Sequence, residues 1–289
     1  MSAERGAVRR VGAHASPPSG LRPSTSSGCA SVALDLGASQ SLGDSCTPAR
    51  SAPRLSYVLP VHNQERVIAT SVERLLNRLA AFPGSEVILV ENGSTDASPV
   101  VCAQLAGTSA DDCVAVRVTQ SETGMGNALR RGIAVADGDV LVLSAADLPF
   151  EFTDLDALLA IDPRPRLAIG SKAHPRSRTQ IPAMRRTMSE AFRLLRLAVL
   201  GLRVRDSQGT ILIDAALARA IAPHLRCGDF LISTEIVVWS ARLGVTPVEL
   251  PVTYRATPGS TVSPLGDSVR MARGLFSLRR RLQSYEGSP

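Results

Sequence analysis

The chain has 289 residues, enough for one large α/β domain or two small ones with a well-buried core. Apolar residues make up 44% and charged residues 20%, as in ordinary globular proteins, while only 3% are aromatic, too few for a base-stacking nucleic-acid binder. The net charge of +6 is carried almost wholly by arginine, Lys172 being the only lysine; it favours an anionic partner without choosing one, and nucleic acid is not expected.

The first fifty residues are rich in Ser, Gly, Pro, Ala and Arg and show no sustained period of 2 or 3.6, so residues 1–53 are expected to be a disordered, low-complexity segment. They lack the apolar core of a signal peptide. An Arg/Ser-rich, acid-poor leader resembles an organelle transit peptide; a start codon assigned too far upstream gives the same text and is the reading preferred here.

From Leu55 short apolar runs alternate with amphipathic segments. Strands are predicted at Leu55–Val61, Val87–Val90, Val114–Val118 and Val140–Leu143, with helices at Val67–Ala80, Pro99–Ala106 and Asn127–Ala136 between them. Strand–helix–strand repeats of this length indicate a parallel sheet with right-handed crossovers. The second half has strands at Leu167–Gly170, Thr210–Ile213 and Val248–Tyr254, and helices at Ala183–Leu202 and Ile232–Leu243. A last basic helix covers about Asp267–Gln283, placing Val269, Ala272, Leu275, Phe276 and Leu282 along one side. That composition suits a helix lying at an anionic membrane surface, and equally one packed on the protein's own core.

No stretch of about 18 apolar residues is present, so no transmembrane helix is expected and any membrane contact is peripheral. Cys29, Cys46, Cys102, Cys113 and Cys227 are odd in number and widely spaced, which points to a reducing compartment. The expected place is therefore cytoplasmic, at the inner face of a membrane where a membrane is involved.

In open parallel sheets ligands bind beyond the carboxyl ends of the strands, so the loops there are where function is sought. After the first strand stand Pro60, His62, Asn63 and Gln64, able to contact a base or ribose, or to form a solvated helix-N-terminal turn. Glu91 and Asn92 follow the second strand, ahead of a Gly93-Ser94-Thr95-Asp96 turn and cap; they can hold a base edge or ribose hydroxyls. After the third, Gly124 and Gly126 open a helix, where glycine lets backbone N–H groups approach an anion such as a diphosphate. The spacing is neither a dinucleotide fingerprint nor a Gly-Lys-Ser/Thr phosphate loop. After the fourth comes Ser144-Ala145-Ala146-Asp147, with Asp147 placed to hold a divalent cation against phosphate oxygens, or to cap the next helix.

Taken in order, Leu-Pro-Val-His-Asn-Gln-Glu, Val-Glu-Asn-Gly-Ser-Thr-Asp, Gly-Met-Gly-Asn-Ala-Leu-Arg-Arg-Gly and Ala-Asp-Leu resemble inverting family-2 glycosyltransferases, most of all the dolichol/polyprenyl-phosphate mannosyl- and glucosyltransferases. Gly170-Ser171-Lys172, Arg205-Asp206-Ser207-Gln208-Gly209, Thr234-Glu235-Ile236 and Tyr254-Arg255 continue the family's order. The resemblance implies an α/β, GT-A-type, Rossmann-like fold: a single domain over 54–268, its mostly parallel sheet flanked by helices. Residues 54–150 would form the nucleotide-sugar half, 151–268 the acceptor half and 269–289 the basic C-terminal helix and tail.

By the same resemblance the donor, of GDP-mannose or UDP-glucose type, would lie against Pro60, His62, Asn63, Gln64, Glu91, Asn92, Gly124, Gly126, Ala146, Asp147, Lys172 and Arg255. Asp147 would hold Mg²⁺ or Mn²⁺. The catalytic residues would be Asp147 and Glu235, the latter as base or positioning residue, and the acceptor a polyprenyl or dolichyl phosphate. The chain departs from the pattern where Ala145 replaces the first aspartate of Asp-Ala-Asp, which weakens the metal site. Lys172 stands where arginine is usual; it supplies charge but no bidentate grip on phosphate. A phosphate monoester is already ionised at neutral pH and needs cationic steering rather than a base. Transfer to a soluble hydroxyl acceptor would instead require a base such as Glu235 or Asp229, and the missing carboxylate would also suit a catalytically weak nucleotide-sugar-binding protein.

Overall fold

The structure, a computed structural model, describes residues 52–110, 113–255 and 264–286; the expectation of disorder for 1–53 lies outside them except at its end, where Pro53 is buried. The first half runs β1 (Leu55–Val61), α1 (Ile68–Leu79), β2 (Ser85–Glu91), α2 (Ser98–Leu105), β3 (Ser109–Ala110), β4 (Val114–Gln120), α3 (Met125–Val135) and β5 (Val140–Leu143). The second runs α4 (Thr153–Leu159), β6 (Leu167–Ser171), β7 (Arg178–Gln180), α5 (Ala183–Leu200), β8 (Ile211–Asp214), α6 (Ala215–Ile221), α7 (Ile232–Arg242), β9 (Val248–Pro251), β10 (Thr253–Arg255) and α8 (Pro264–Glu286). Every predicted element is present; β3, β7, α6 and the full extent of α4 carry too few residues for a period to show.

One eight-stranded sheet, in the order β3-β4-β2-β1-β5-β8-β6-β9, passes through both halves of the chain. β1 is its pivot, parallel to β2 on one side and to β5 on the other. The chain moves outward from β1 through β2 to β4 and then returns across β1 to β5. That reversal opens a crevice beyond the carboxyl ends of β1 and β5, where the polar loops stand.

The central strands are buried on both faces, which is why they read as unbroken apolar runs. On one face Leu55, Tyr57 and Leu59 pack with Val87, Leu89 and the inner side of α1. On the other, Val58, Ile88 and Val90 pack with Ala128, Leu129 and Ile133 of α3 and with α6 and α7. The approach of α3 to β1 depends on Gly132, because a Cβ there would fall 2.2 Å from Val58 Cγ1.

Two features differ from the sequence reading. β8 runs antiparallel to both neighbours, β5 and β6, since α5 and the segment after it bring the chain back in the opposite sense. The predicted strand Val248–Tyr254 is two strands: β9 pairs with β6, whereas β10 leaves the sheet and pairs with β7. Pro251 has no N–H for the ladder, and the next amide, Val252 N–H, donates to Ser177 Oγ at 2.9 Å instead of to a strand.

α8 lays Leu275, Leu278 and Leu282 on the protein's own core, so of the two surfaces open to this helix its apolar side takes the internal one. Phe276, which the helical period grouped with them, is exposed. α5 is nearly all solvent-facing, with only Arg196 and Val199 buried.

Candidate active site

The loops after β1 and β2 are fastened to each other by their own polar side chains. Asn63, at φ 54° in the left-handed region that asparagine tolerates, accepts the Thr95 N–H at 2.8 Å on Oδ1, while its backbone N–H donates to Ser94 Oγ at 3.1 Å. Gln64 N–H donates to Ser98 Oγ at 2.7 Å, Glu65 N–H to Asp96 Oδ2 at 3.2 Å, and Ala97 N–H back to Glu65 Oε2 at 2.8 Å. The side chains expected to meet a base or ribose at Asn63 are thus partly used in holding two loops in register. His62 is exposed, its ring Nδ1 3.1 Å from Asn92 O, and Pro60 and Gln64 are half-buried.

Glu91 and Asn92 lie deeper than a base-reading pair would. Glu91 Oε1 accepts the Ser94 N–H at 2.6 Å, which closes the turn after β2. Asn92 is 2% exposed and joins three loops: its Nδ2 donates to Val61 O at 3.1 Å, and its Oδ1 accepts the Gly124 N–H at 3.3 Å. This staple explains why an amide is needed there: a carboxylate could accept from Gly124 but could not donate to Val61.

The glycines that open α3 have a different duty from the one their pattern implies. The Gly126 N–H donates to Gly228 O at 2.9 Å and the Gly124 N–H is taken by Asn92, so neither is free for an anion. Their need for glycine is steric. A Cβ on Gly124, whose φ is 126°, would sit 2.3 Å from Gly228 O, and one on Gly126 would sit 2.2 Å from Cys227 O. The segment 226–228, which sequence reasoning passed over, therefore forms one wall of this turn.

Asp147 lies within the loop between β5 and α4, beyond the carboxyl end of β5. Ala146 and Leu148 on either side point inward and are buried, which turns the Asp147 side chain out. The surrounding protein, stripping water from the carboxyl, raises it above the ordinary aspartate value, and only its own backbone N–H opposes this. α4 begins at Thr153 without any side-chain cap, so the helix-capping alternative for Asp147 is not what is found. Among the described residues no group of three His, Cys, Asp or Glu side chains could by itself hold a metal ion. One outward carboxylate fits a cation whose other ligands are substrate phosphate oxygens and water, the usual manner of binding Mg²⁺.

Lys172 does not stand ready for phosphate. Its Nζ lies 3.0 Å from Asp206 Oδ2, near the rings of Phe150 and Tyr254 at 5.5 and 6.0 Å. Burial alone would raise the Asp206 carboxyl, but the Lys172 ammonium and N–H groups from Gln208 and Lys172 hold it below the ordinary value. Glu249 joins the same cluster, accepting from the Arg205 and Asp206 amides at 3.1 Å and from Ser171 Oγ at 2.8 Å. Arg196, 1% exposed on α5, donates to Ser207 Oγ at 2.8 Å and to Val204 O. Sequence reasoning noted Asp206 and Ser207 only as family matches, and nothing in the pattern connects them to Arg196 or Glu249.

Glu235 is not placed to act as a base. It is 0% exposed; Oε2 accepts the Arg226 and Cys227 N–H groups at 2.9 and 2.8 Å, and Oε1 accepts Arg281 Nη1 at 2.7 Å. Asp229, the other candidate base, uses Oδ1 to accept the Leu231 N–H at 2.9 Å at the start of α7. For Arg255 the described part is the backbone, in β10 beside Gln180 of β7.

A mostly parallel sheet with polar loops gathered at its switch point and one outward aspartate there is an open α/β fold of the kind that takes ligands beyond the carboxyl ends of its strands. The profile described as "Glycosyl transferase family 2" matches residues 56–213, and the chain belongs to that family and is a glycosyltransferase. It is 25% identical over 248 residues to the dolichyl-phosphate beta-glucosyltransferase of Saccharomyces cerevisiae, covering 78% of this chain and 74% of that protein. The Drosophila melanogaster protein of the same name is 27% identical over 240 residues, with the same coverage. Glucosyl-3-phosphoglycerate synthase of Mycobacterium tuberculosis, solved with Mn²⁺ and uridine-diphosphate-glucose, superposes with a TM-score of 0.57 over 78% of this chain and 79% of that one, at 20% identity, and shares its fold.

Proposed function

We propose that this glycosyltransferase moves a sugar, glucose from UDP-glucose in the first instance, onto the phosphate of a polyprenyl or dolichyl lipid with inversion at the sugar's C1. The observation that carries the reading is the extended match to dolichyl-phosphate beta-glucosyltransferases, joined to an outward Asp147 at the switch-point crevice. A phosphate monoester oxygen is ionised at neutral pH, its second pKa being about 6. It can attack C1 directly as the bond from C1 to the diphosphate oxygen breaks. No side chain has to remove a proton, which agrees with Glu235 and Asp229 both being occupied by backbone donors.

A divalent cation, Mg²⁺ or Mn²⁺, would be held by Asp147 together with the donor's phosphates, and when bound it neutralises charge on the departing diphosphate. The chain's own part is to shape the crevice. Asn92 and the 226–228 segment fix the turn at the start of α3, while the fastened loops around Pro60, His62, Asn63 and Gln64 leave His62 and Gln64 at the surface for the nucleoside. Lys172 keeps its charge close to Asp206, so steering of the acceptor falls to exposed arginines such as Arg176, Arg185 and Arg186.

The acceptor's lipid would meet the protein along the outer faces of α5 and α8. Met184 is 72% exposed and Leu194, Leu197 and Phe276 are exposed near Arg185, Arg186, Arg273 and Arg280, the mixture that holds a helix at an anionic bilayer. Among the described residues no helix is long and apolar enough to cross a membrane. The test is incubation of the purified protein with radiolabelled UDP-glucose or GDP-mannose and polyprenyl phosphate, with and without Mn²⁺. The expected result is metal-dependent passage of label from UDP-glucose into the organic phase. No transfer from any donor to the lipid phosphate would overturn the reading.

A further inference from the structure

The wall against which the α3 turn rests is itself held from the far end of the chain. Backbone segment 226–228 receives two supports: Glu235 Oε2 takes the Arg226 and Cys227 N–H groups, and Arg281 Nη2 donates to Cys227 Sγ at 3.3 Å. The supports are joined, because Arg281 Nη1 also bonds Glu235 Oε1 at 2.7 Å. Burial, with Glu235 alongside, pushes the Cys227 thiol up to about 12, so it stays a neutral neighbour and Glu235 is the charge that Arg281 meets there. On its other side the segment carries Gly228 O, acceptor for Gly126 N–H, with the Asn127 carboxamide packed against Gly228 so closely that a Cβ there would be 3.2 Å away.

We infer that Arg281, acting through Glu235 and the 226–228 backbone, is a positioning residue that sets where the Gly124–Gly126 turn stands in the crevice wall, and so, through the shape of the wall rather than through the two occupied N–H groups, the affinity for the nucleotide diphosphate. The chain of contacts is short and stiff. Gly124 and Gly126 have no side chain to absorb a shift, and they sit against Gly228 O and Cys227 O with no room even for a Cβ, so a displacement of the wall is passed to the turn. A helix that packs on the core through Leu275, Leu278 and Leu282 and turns Phe276 and Arg280 outward thus reaches the donor side of the crevice through one guanidinium, itself 32% exposed.

This inference rests on the donor site proposed above, and its test separates the two. Arg281→Met keeps an unbranched stem and removes both bonds; Arg281→Lys keeps a donor for Glu235. Arg279→Met is the control, since Arg279 Nη1 also ties α8 to the body, through Val199 O at 2.9 Å, but does not touch Glu235. In the protein without nucleotide, amide hydrogen exchange at Gly126 should quicken in Arg281→Met and stay unchanged in Arg279→Met. The dissociation constant for UDP, and KM for UDP-glucose, should rise about tenfold in Arg281→Met, within the range of site-to-site couplings. The turnover rate at saturating donor and KM for the lipid phosphate should be held, and Arg281→Lys should recover most of the loss. Unchanged exchange at Gly126 in Arg281→Met, or an equal rise in the UDP constant for Arg279→Met, overturns the inference. A wild-type protein that binds neither UDP nor GDP overturns the donor site, and with it the claim on affinity, whatever the exchange data show.

Discussion

The loops of the first half and the buried cluster of the second hold their chains by different means. Between β1 and α3 the fastening runs mainly through backbone amides: asparagine and serine side chains and the Glu65 and Asp96 carboxylates tie the loop after β1 to the loop after β2, and Asn92 staples both to Gly124. In the second half it depends on charged side chains that meet one another. Lys172 meets Asp206, Arg196 reaches across to Ser207, Glu249 gathers the 205–206 amides, and Glu235 meets Arg281, 46 residues along the chain. Loops tied to one another through backbone amides present a preformed crevice. A buried ionic cluster is costly to break, because a lone partner is left without compensation.

The largest effect should come from breaking the ionic half at its best-buried member. Glu235→Ala leaves two backbone donors and Arg281 unpaired and should cost about 3–5 kcal/mol of folding stability, read by urea denaturation; a loss under about 1 kcal/mol would show that water replaces the carboxylate. Next is the crevice itself. Asp147→Asn should lower metal-dependent turnover about a hundredfold, and because Asp147 caps no helix, unfolding free energy should stay within about 0.5 kcal/mol of the parent. Unaltered turnover would end the metal role. Ala145→Asp, which restores the second carboxylate of the family pattern, should tighten Mn²⁺ binding.

A smaller and pH-dependent effect is expected at Lys172. With its partner present, Asp206 titrates below its unfolded value, so the pair contributes stability above the unfolded pKa of about 3.9 and loses it as pH falls through the folded value. Lys172→Met should remove about 2 kcal/mol at pH 7, because the ammonium that holds the Asp206 carboxyl down is gone while its burial remains. The variant's deficit should then shrink as acid protonates Asp206. Denaturation curves between pH 3 and 7 that stay parallel for the two proteins would show that the pair does not couple to folding. The smallest effect should follow deletion of residues 1–50, whose composition offers little apolar surface to offset ordering entropy; thermal midpoint and donor affinity should be unchanged, and a large loss of either would place that segment in the fold.

How much could be read beforehand follows the same division. β1, α1, β2, α2, β4, α3 and β5 lie within about two residues of their predicted limits, because strands buried on both faces and amphipathic crossovers write their period directly into the sequence. The loops after those strands therefore stand where the sequence put them, at the carboxyl edge of the sheet, and the ordered motifs sufficed for the family. What individual loop residues do was less legible. Gly124 and Gly126 are consistent in sequence with an anion-binding turn or with close backbone packing, and only the position of Gly228 and Cys227, a hundred residues on, separates these.

By itself, then, the sequence determined the strand–helix alternation, the parallel half of the sheet, the loops at its carboxyl edge and the single aspartate at residue 147, since each depends on residues near one another in the chain. The tertiary structure alone decided that β8 runs against its neighbours, that Pro251 sends β10 out of the sheet, that Lys172 belongs to Asp206 and that Glu235 is a buried strut between α8 and the 226–228 wall. Strand direction and long-range charge pairing depend on where the chain returns in space. Hydrophobic periodicity, being local, carries no record of that return.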